Sequence, residues 1–184
     1  CKHIEKEGGE VTYLKVKDNG LVDLAELEAA IKPNTILIAL MYANNEIGTI
    51  QNIEEIADLV HKYSGILHTD ATQIIPDRKI NVKNIDMLSF SGQKLGATKG
   101  IGVLYVRNGI DIKPIIYGSQ ERSLRGGTEN VPYIAGLKAA IDDLYYEDGE
   151  IRDYFIGKIL KKVPNCYLVG TDRTDRRLNN NVSI

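Results

Sequence analysis

The chain of 184 residues carries 23 Lys and Arg against 25 Asp and Glu, and 43% of its residues are hydrophobic. This composition argues against a disordered chain, and a formal net charge of −2 gives no electrostatic basis for binding nucleic acid or an anionic membrane. With only two cysteines and three histidines, neither a disulfide scaffold nor a zinc module is expected. The chain has no apolar run long enough to span a membrane, and its first residues lack the apolar run of a signal peptide, which predicts a cytoplasmic protein.

Patterns typical of strands and helices alternate from the start of the chain. The segment Glu10–Lys17 has the alternation of a strand and is followed by a turn signal. Asp23, with Glu26 three residues later, predicts the start of a helix that ends before the next proline. The continuous apolar run Thr35–Met41 then predicts a strand that is covered on both faces.

The same alternation continues through the middle of the chain. Asn52 and Glu55 predict the start of a helix at Ile53–Tyr63. Further strands are predicted at Gly65–Thr69, Ile85–Phe90 and Ile101–Val106. The longest helical pattern is Pro132–Tyr146, with a stripe formed by Ile134, Leu137, Ile141 and Leu144. Together these patterns predict an α/β fold with a mostly parallel sheet and flanking helices.

An acidic stretch, Tyr145–Arg152, is interpreted as a connector between two domains. We therefore predict a large-domain core at residues 1–147 and the start of a small C-terminal domain at residues 148–184. The elements expected in the second part are a helix at Ile151–Lys162, a strand at Cys166–Val169 and a charged loop at Thr171–Arg177. The chain opens in a charged helical pattern and stops in an apolar alternation, so we expect a piece of a longer protein.

Polar clusters follow three of the predicted strands. They are Asn44-Asn45-Glu46, Asp70-Ala71-Thr72-Gln73 and Ser91-Gly92-Gln93-Lys94. In open α/β sheets, ligands bind at the carboxyl ends of the strands. The three clusters together therefore predict one shared site, although each cluster alone is also typical of an ordinary turn.

Lys94 allows three interpretations. The three are an ordinary solvated lysine, a point charge that binds phosphate, and a lysine that forms a Schiff base. A Schiff-base lysine needs a partly desolvated amine, and its cofactor needs a carboxylate beside the ring nitrogen, a part that Asp70 can take. The segment Gly92–Gly100 is not a P-loop, because Lys99 is followed by glycine instead of serine or threonine.

Four motifs in order give the chain its resemblance to a known family. They are Asn44-Asn45-Glu46-Ile47-Gly48-Thr49-Ile50-Gln51, His68-Thr69-Asp70-Ala71-Thr72-Gln73, Ser89-Phe90-Ser91-Gly92-Gln93-Lys94 and Arg125-Gly126-Gly127-Thr128-Glu129-Asn130. Over nearly its whole length the chain resembles the cysteine desulfurases of the class V aminotransferase group. These enzymes have fold type I and use pyridoxal 5′-phosphate (PLP).

The resemblance implies a role for each candidate site residue. It places Lys94 in the Schiff base with PLP, Asp70 at the ring nitrogen, Gln73 and Asn45 near the phenolic oxygen, Ser91 on the phosphate, and Thr128 on the phosphate of the neighbouring subunit in a homodimer. Gln93 stands where the family usually has histidine. Glutamine still donates a hydrogen bond to phosphate but carries no positive charge, so we expect PLP to be held less tightly.

The resemblance also implies the reaction. A cysteine desulfurase converts L-cysteine to L-alanine and transfers the sulfur as a persulfide to sulfur-acceptor or iron–sulfur scaffold proteins. Such enzymes are about twice as long as this chain, and we expect the phosphate loop, the ring-stacking residue, the persulfide cysteine and the substrate-binding arginine outside it. Cys1 and Cys166 are interpreted as small apolar core residues, and His61 and His68 as helix-surface and strand-end residues instead of ligands. We therefore predict that the isolated chain folds but does not release sulfide.

Two alternative hypotheses remain open from the sequence. A selenocysteine lyase or a class V transaminase would share Lys94 and Asp70 and differ in its substrate-binding parts. A non-catalytic scaffold that binds partners would keep the fold without the chemistry, and its preparation with PLP would not be yellow.

Overall fold

A four-stranded sheet forms the centre of the structure. The computed structural model describes residues 1–184. Its strands are β1 (Leu37–Met41), β2 (Ile66–Asp70), β3 (Met87–Ser91) and β4 (Gly102–Val106), in that spatial order. The first three strands are parallel, and β4 pairs antiparallel with β3. The predicted α/β fold with a mostly parallel sheet is therefore confirmed.

Five α-helices surround or follow this sheet. They are α1 (Lys2–Lys6), α2 (Leu24–Ala30), α3 (Ile53–Lys62), α4 (Val131–Asp142) and α5 (Glu150–Lys162). The Asp23 carboxylate accepts hydrogen bonds from the amides of Ala25 and Glu26 and so caps α2, as predicted. Asn130 caps α4 in the same way. None of these helices combines the length and the apolar character that a membrane span requires.

Helix α3 covers one face of the sheet. The side chains of its predicted apolar face, Ile53, Ile56, Ala57 and Val60, are all buried. They form one core cluster with Leu67 of β2 and Leu88 of β3. Burial of an aliphatic side chain of this size contributes about 1.5–3 kcal/mol, so these contacts stabilise the packing of α3 on the sheet.

The opposite face of the sheet is largely open. Side chains alternate between the faces of a strand, and the register places Met41, Asp70 and Ser89 side by side on the open face. Leu37 on β1 and Leu104 on β4 are 45% and 53% exposed there. The prediction that Thr35–Met41 is covered on both faces is therefore wrong, because the helices of this chain cover only one face of β1.

The C-terminal segment packs against the same core. The Ile50 amide donates to the Arg176 carbonyl, and Leu178 belongs to the core cluster. Arg177 is only 2% exposed and donates to the carbonyls of Thr171 and Val169 and to Asn181 Oδ1. Burial lowers the pKa of the Arg177 guanidinium. The segment predicted as a charged loop thus contains a buried charge, and the domain boundary after residue 147 stays a prediction.

Two predicted strands are absent. The segment Glu10–Lys17 makes only an isolated bridge, between Val16 and Val22. The segment Cys166–Val169 and the chain terminus share one ladder-like hydrogen bond, from the Val169 amide to the Ser183 carbonyl. Alternation alone does not make a strand, because the backbone needs a neighbouring strand with which to pair.

Other local predictions also need correction. Helix α4 ends at Asp142, not Tyr146, and of its predicted stripe only Leu137 is buried. Leu137 packs beside Gly92, whereas Ile134 and Ile141 are 44% and 42% exposed. Cys1 is exposed beside the short helix α1, and Cys166 is half-buried with its thiol 3.1 Å from the Val163 carbonyl oxygen. The interpretation of Cys1 as a core residue is therefore wrong.

Candidate active site

The carboxyl ends of β1, β2 and β3 meet at one edge of the sheet. Asp70 is the last residue of β2, and its register neighbour on β3 is Ser89. Ser91, two residues after Ser89, is the last residue of β3. Adjacent strands lie about 4.8 Å apart, and residues two apart share a face. Asp70, Ser89 and Ser91 therefore lie on the same face, with their side chains next to one another.

Asp70 is held by the turn that follows it. Its Oδ1 accepts a hydrogen bond from the Thr72 amide at 2.9 Å, and the Ala71 amide donates to the Ser89 carbonyl at 2.8 Å. Oδ2 makes no hydrogen bond within the chain and can accept one from a ligand. Gln73 is half-buried in the same turn. The geometry thus combines an oriented carboxylate with a nearby amide.

Lys94 follows β3 directly, in the single 3-10 turn Gly92–Leu95. Gly92 packs so closely that a Cβ atom there would lie 2.8 Å from Ile101 Cγ2 and 3.1 Å from Leu137 Cδ1. Leu95 is buried, which anchors the other end of the turn. Lys94 itself is exposed, and its amine makes no hydrogen bond or ion pair. These residues alone therefore do not provide the desolvation that a Schiff-base lysine needs.

Asn45 lies in the loop between β1 and α3. The Asn44 side chain accepts hydrogen bonds from the amides of Glu46 and Ile47, which shapes this loop. Asn181 reaches across from the C-terminal segment and donates to the Asn45 carbonyl at 3.2 Å. Asn45 is exposed and makes no hydrogen bond to Asp70 or Lys94. The structure therefore places it in the loop beyond the edge of the sheet, without joining it to the other candidates.

Thr128 and Gln93 are exposed. Thr128 follows a loop in which Gly118 and Gly126 approach so closely that a Cβ atom on Gly126 would lie 2.2 Å from the Tyr117 carbonyl oxygen. The Gly126 amide donates to the Ile116 carbonyl, which ties the loop together. No hydrogen bond joins Thr128 to the other candidates, so the structure brings Asp70, Gln73 and Ser91 to one edge and leaves Thr128 on a separate surface loop.

Two side-chain pairs were not predicted from the sequence. His68 Nε2 lies 3.1 Å from Ser89 Oγ on the face that carries Asp70. His61, predicted as a surface residue, lies with its Nε2 2.8 Å from the buried Asp86 carboxylate. The period of two in His68-Thr69-Asp70 could have placed His68 on the Asp70 face, but its partner becomes visible only from the register between β2 and β3.

Two clefts occur elsewhere in the molecule. One, of about 220 Å³, lies between α3 and the loop before β3, and another, of about 420 Å³, lies between Asp77, the start of α5 and the C-terminal segment. Neither is lined by a candidate residue. The edge of the sheet that carries Asp70 and Ser91 is open in this chain, and Gln73 and Lys94 lie in the turns that follow these two strands.

Comparisons with known proteins identify the family of the chain. The family model described as Aminotransferase class-V matches residues 1–180. The cysteine desulfurase of Nostoc sp. (strain PCC 7120) is 46% identical over 96% of this chain, and the cysteine desulfurase IscS of Dictyoglomus turgidum is 42% identical over 100% of it. Among solved structures, SspA in complex with cysteine is 38% identical and superimposes on 97% of this chain with a TM-score of 0.84.

The matched part is limited to about half of each relative. The chain covers 46% and 48% of these two desulfurases and 52% of the SspA chain. The family match nevertheless extends over almost all of this chain, and the α/β fold agrees with that of the solved relative. The chain therefore belongs to the class-V aminotransferase family.

Proposed function

We propose that this chain is part of a PLP-dependent cysteine desulfurase that converts L-cysteine to L-alanine and passes the sulfur on. One observation supports this proposal above the others. Asp70 and Ser91 end adjacent parallel strands on the same face, and Lys94 follows Ser91 within a single turn. The similarity to named cysteine desulfurases and to a protein solved in complex with cysteine favours cysteine as the substrate.

The chemistry of the side chains present fits PLP. The Asp70 carboxylate can accept a hydrogen bond from a protonated ring nitrogen, and Oδ2 is available for it. The Ser91 hydroxyl and the Gln93 amide can donate to phosphate oxygens, and Gln73 and Asn45 can donate to the phenolic oxygen. The Lys94 amine can bind the aldehyde carbon. Every polar group of the cofactor thus finds a complementary group among these residues.

Each residue then has a separate task in the proposed reaction. When bound, PLP withdraws electrons from the substrate α-carbon and so stabilises negative charge there. Asp70 would hold a proton on the ring nitrogen, and the Lys94 amine would move a proton at the substrate α-carbon. Ser91 and Gln93 would bind and orient the phosphate.

The remaining parts of the proposal concern assembly and sulfur transfer. Thr128 is exposed on its loop, where it could reach the cofactor phosphate of a second copy, and we propose a homodimer on this basis. Sulfur transfer needs a thiolate on an exposed, mobile loop. Cys166 is half-buried, and Cys1, although exposed, is the N-cap of α1 and not part of a loop. We therefore propose that the 184-residue chain alone does not release sulfide, and that iron–sulfur scaffold or other acceptor proteins receive sulfur from the full gene product. A cytoplasmic location stays a prediction.

The test compares Lys94→Ala with Lys99→Ala in the full gene product, with cysteine and PLP supplied. Lys99 is a matched control, because it is an exposed lysine only five positions away. We expect the Lys99 variant to keep the yellow cofactor absorbance, alanine formation and sulfide release, and the Lys94 variant to lose all three. Unchanged activity in the Lys94 variant would contradict the assignment, and absence of PLP absorbance in the unmutated protein would favour a non-catalytic scaffold. Turnover of selenocysteine or of an amino acceptor without sulfide release would favour the alternative enzymes.

A further inference from the structure

A hydrogen-bonded pair of side chains lies next to Asp70 on the open face of the sheet. His68 precedes Asp70 by two residues on β2, and Ser89 is the register neighbour of Asp70 on β3. His68 Nε2 and Ser89 Oγ are 3.1 Å apart. His68 and Ser89, the neighbours of Asp70 on β2 and on β3, are therefore hydrogen-bonded to each other.

The surroundings make this pair unusual. Other residues on the open face include Leu37, Met41 and Leu104, which are apolar and exposed. Thr69, between His68 and Asp70, points to the opposite face, where its hydroxyl is buried and makes no hydrogen bond. The polar pair is thus confined to the face and the position at which Asp70 lies.

We propose that His68 and Ser89 are positioning residues that hold the Asp70 carboxylate oriented toward the ring nitrogen of PLP, an inference that rests on the proposed function. If His68 donates its Nε2 hydrogen to Ser89 Oγ, the serine hydroxyl proton is free to point toward the carboxylate beside it. The Thr72 amide already holds Oδ1 of Asp70 from the other side. Ser89 makes no hydrogen bond to Asp70 in this structure. With PLP bound, Ser89 would add a second donor to the one from the turn and so hold the carboxylate in place.

The direction of the hydrogen bond between His68 and Ser89 determines whether the serine hydroxyl can donate to Asp70. In the opposite tautomer, Ser89 would donate to His68, and the serine lone pairs would face the carboxylate and repel it. The proposal therefore requires a hydrogen on His68 Nε2. A glutamine at position 68 can place an amide donor near the same point, whereas a phenylalanine keeps the ring and removes the donor.

The test measures cofactor binding and ring protonation in the full gene product. The variants are Ser89→Ala, His68→Phe and His68→Gln, with Thr69→Val as the matched control from the same strand. The dissociation constant of PLP comes from an absorbance titration. The 15N chemical shift of ring-labelled PLP reports the protonation of its nitrogen, and thermal unfolding without PLP reports stability.

We expect Ser89→Ala and His68→Phe to weaken PLP binding about tenfold, the loss that corresponds to one hydrogen bond to a charged group. Both should also shift the 15N signal toward the unprotonated ring. His68→Gln should stay within about threefold of the unmutated protein, because it keeps the donor, and Thr69→Val should bind PLP unchanged. If the phenylalanine prevents folding, Ser89→Ala carries the test, because it removes a single oxygen atom.

Two results would overturn the inference in distinguishable ways. Unchanged PLP affinity and 15N shift in Ser89→Ala, with a lower unfolding temperature, would show that the pair only stabilises the sheet, and the proposed function would stand. An unmutated protein that binds no PLP, or binds it equally well after Lys94→Ala, would overturn the proposed function and this inference with it.

Discussion

Replacement of Asp86 with alanine tests whether one buried carboxylate holds together the sheet that carries the candidate site. Asp86 immediately precedes β3, and its side chain is 6% exposed. Its Oδ2 accepts hydrogen bonds from the Leu67 amide and from His61 Nε2, both at 2.8 Å, and its Oδ1 lies 3.3 Å from the Arg107 guanidinium. One side chain thus joins β3 to α3, to β2 and to the residue after β4.

The size of the effect follows from these contacts. Leu67 is fully buried, so its amide cannot turn to water, and loss of its hydrogen bond to a charged acceptor costs about 1.5–3 kcal/mol. The side chains of His61 and Arg107 are 32% and 31% exposed, so solvent screening limits each to about 0.5–1 kcal/mol. We therefore expect Asp86→Ala to lower the free energy of unfolding by about 2.5–5 kcal/mol.

Urea unfolding of the 184-residue chain measures this loss. With a urea dependence of about 2 kcal/mol/M, the unfolding midpoint should fall by about 1.2–2.5 M. Asp58→Ala is the matched control, because Asp58 is an exposed aspartate on α3 that accepts one hydrogen bond, from Asn84 at 3.1 Å. The control should change the unfolding free energy by no more than about 0.5 kcal/mol. A loss below about 1 kcal/mol for Asp86→Ala, or one equal to the control, would show that Asp86 does not hold these elements together.

Three further predictions concern a helix cap, a glycine contact and the cofactor phosphate. The hydrogen bond from Lys17 and the backbone amides at the start of α2 lower the pKa of Asp23. The stabilisation from Asp23 should therefore be fully present above the ordinary carboxyl pKa and be lost as the pH falls through the lowered value. Urea unfolding at several pH values measures the difference in unfolding free energy between the unmutated protein and Asp23→Asn. A difference that grew in acid would contradict this prediction. Gly126→Ala should lower the unfolding temperature, because its Cβ would lie 2.2 Å from a carbonyl oxygen. Gly136→Ala, whose Cβ would have no atom within 4 Å, should raise the unfolding free energy by about 0.5–1 kcal/mol. Equal effects of the two variants on stability would show that the close contact at Gly126 does not matter. Gln93→His should tighten PLP binding about threefold or more by adding a charge-assisted hydrogen bond to phosphate, and an absorbance titration showing unchanged or weaker binding would contradict the assignment of this position.

The sequence predicted those parts of the fold whose signal is local. The apolar stripe of α3 is buried as predicted, because helical spacing alone determines which of its residues share a face. The strands β1 to β4 were located to within two residues from their apolar runs. The exposure of one face of β1 could not be predicted in this way, because coverage of a face depends on which helices are present and where they pack.

The same distinction between local and long-range signals applies to the candidate site. The sequence predicted that Asp70 and Ser91 come together, because both end strands of a parallel sheet and such ends share an edge. The pairing of His68 with Ser89 and of His61 with Asp86 depends on which strands are neighbours and in what register, and no local pattern contains this information. The missing strand at Cys166–Val169 has the same cause, since a strand exists only with a partner.

Reductive trapping on the 184-residue chain determines whether PLP reacts at Lys94, beside the edge of the sheet that carries Asp70 and Ser91. PLP is added, borohydride reduces whatever lysine adduct has formed, and peptide mapping locates the label. We expect slow labelling that is concentrated on Lys94, because it alone among the lysines follows the carboxylate and the hydroxyl at the edge of the sheet. Asp70→Ala should lower this labelling, and Lys99→Ala should leave it unchanged. Label found mainly on Lys99, or spread evenly over the exposed lysines, would contradict the claim that this edge of the sheet is a PLP site.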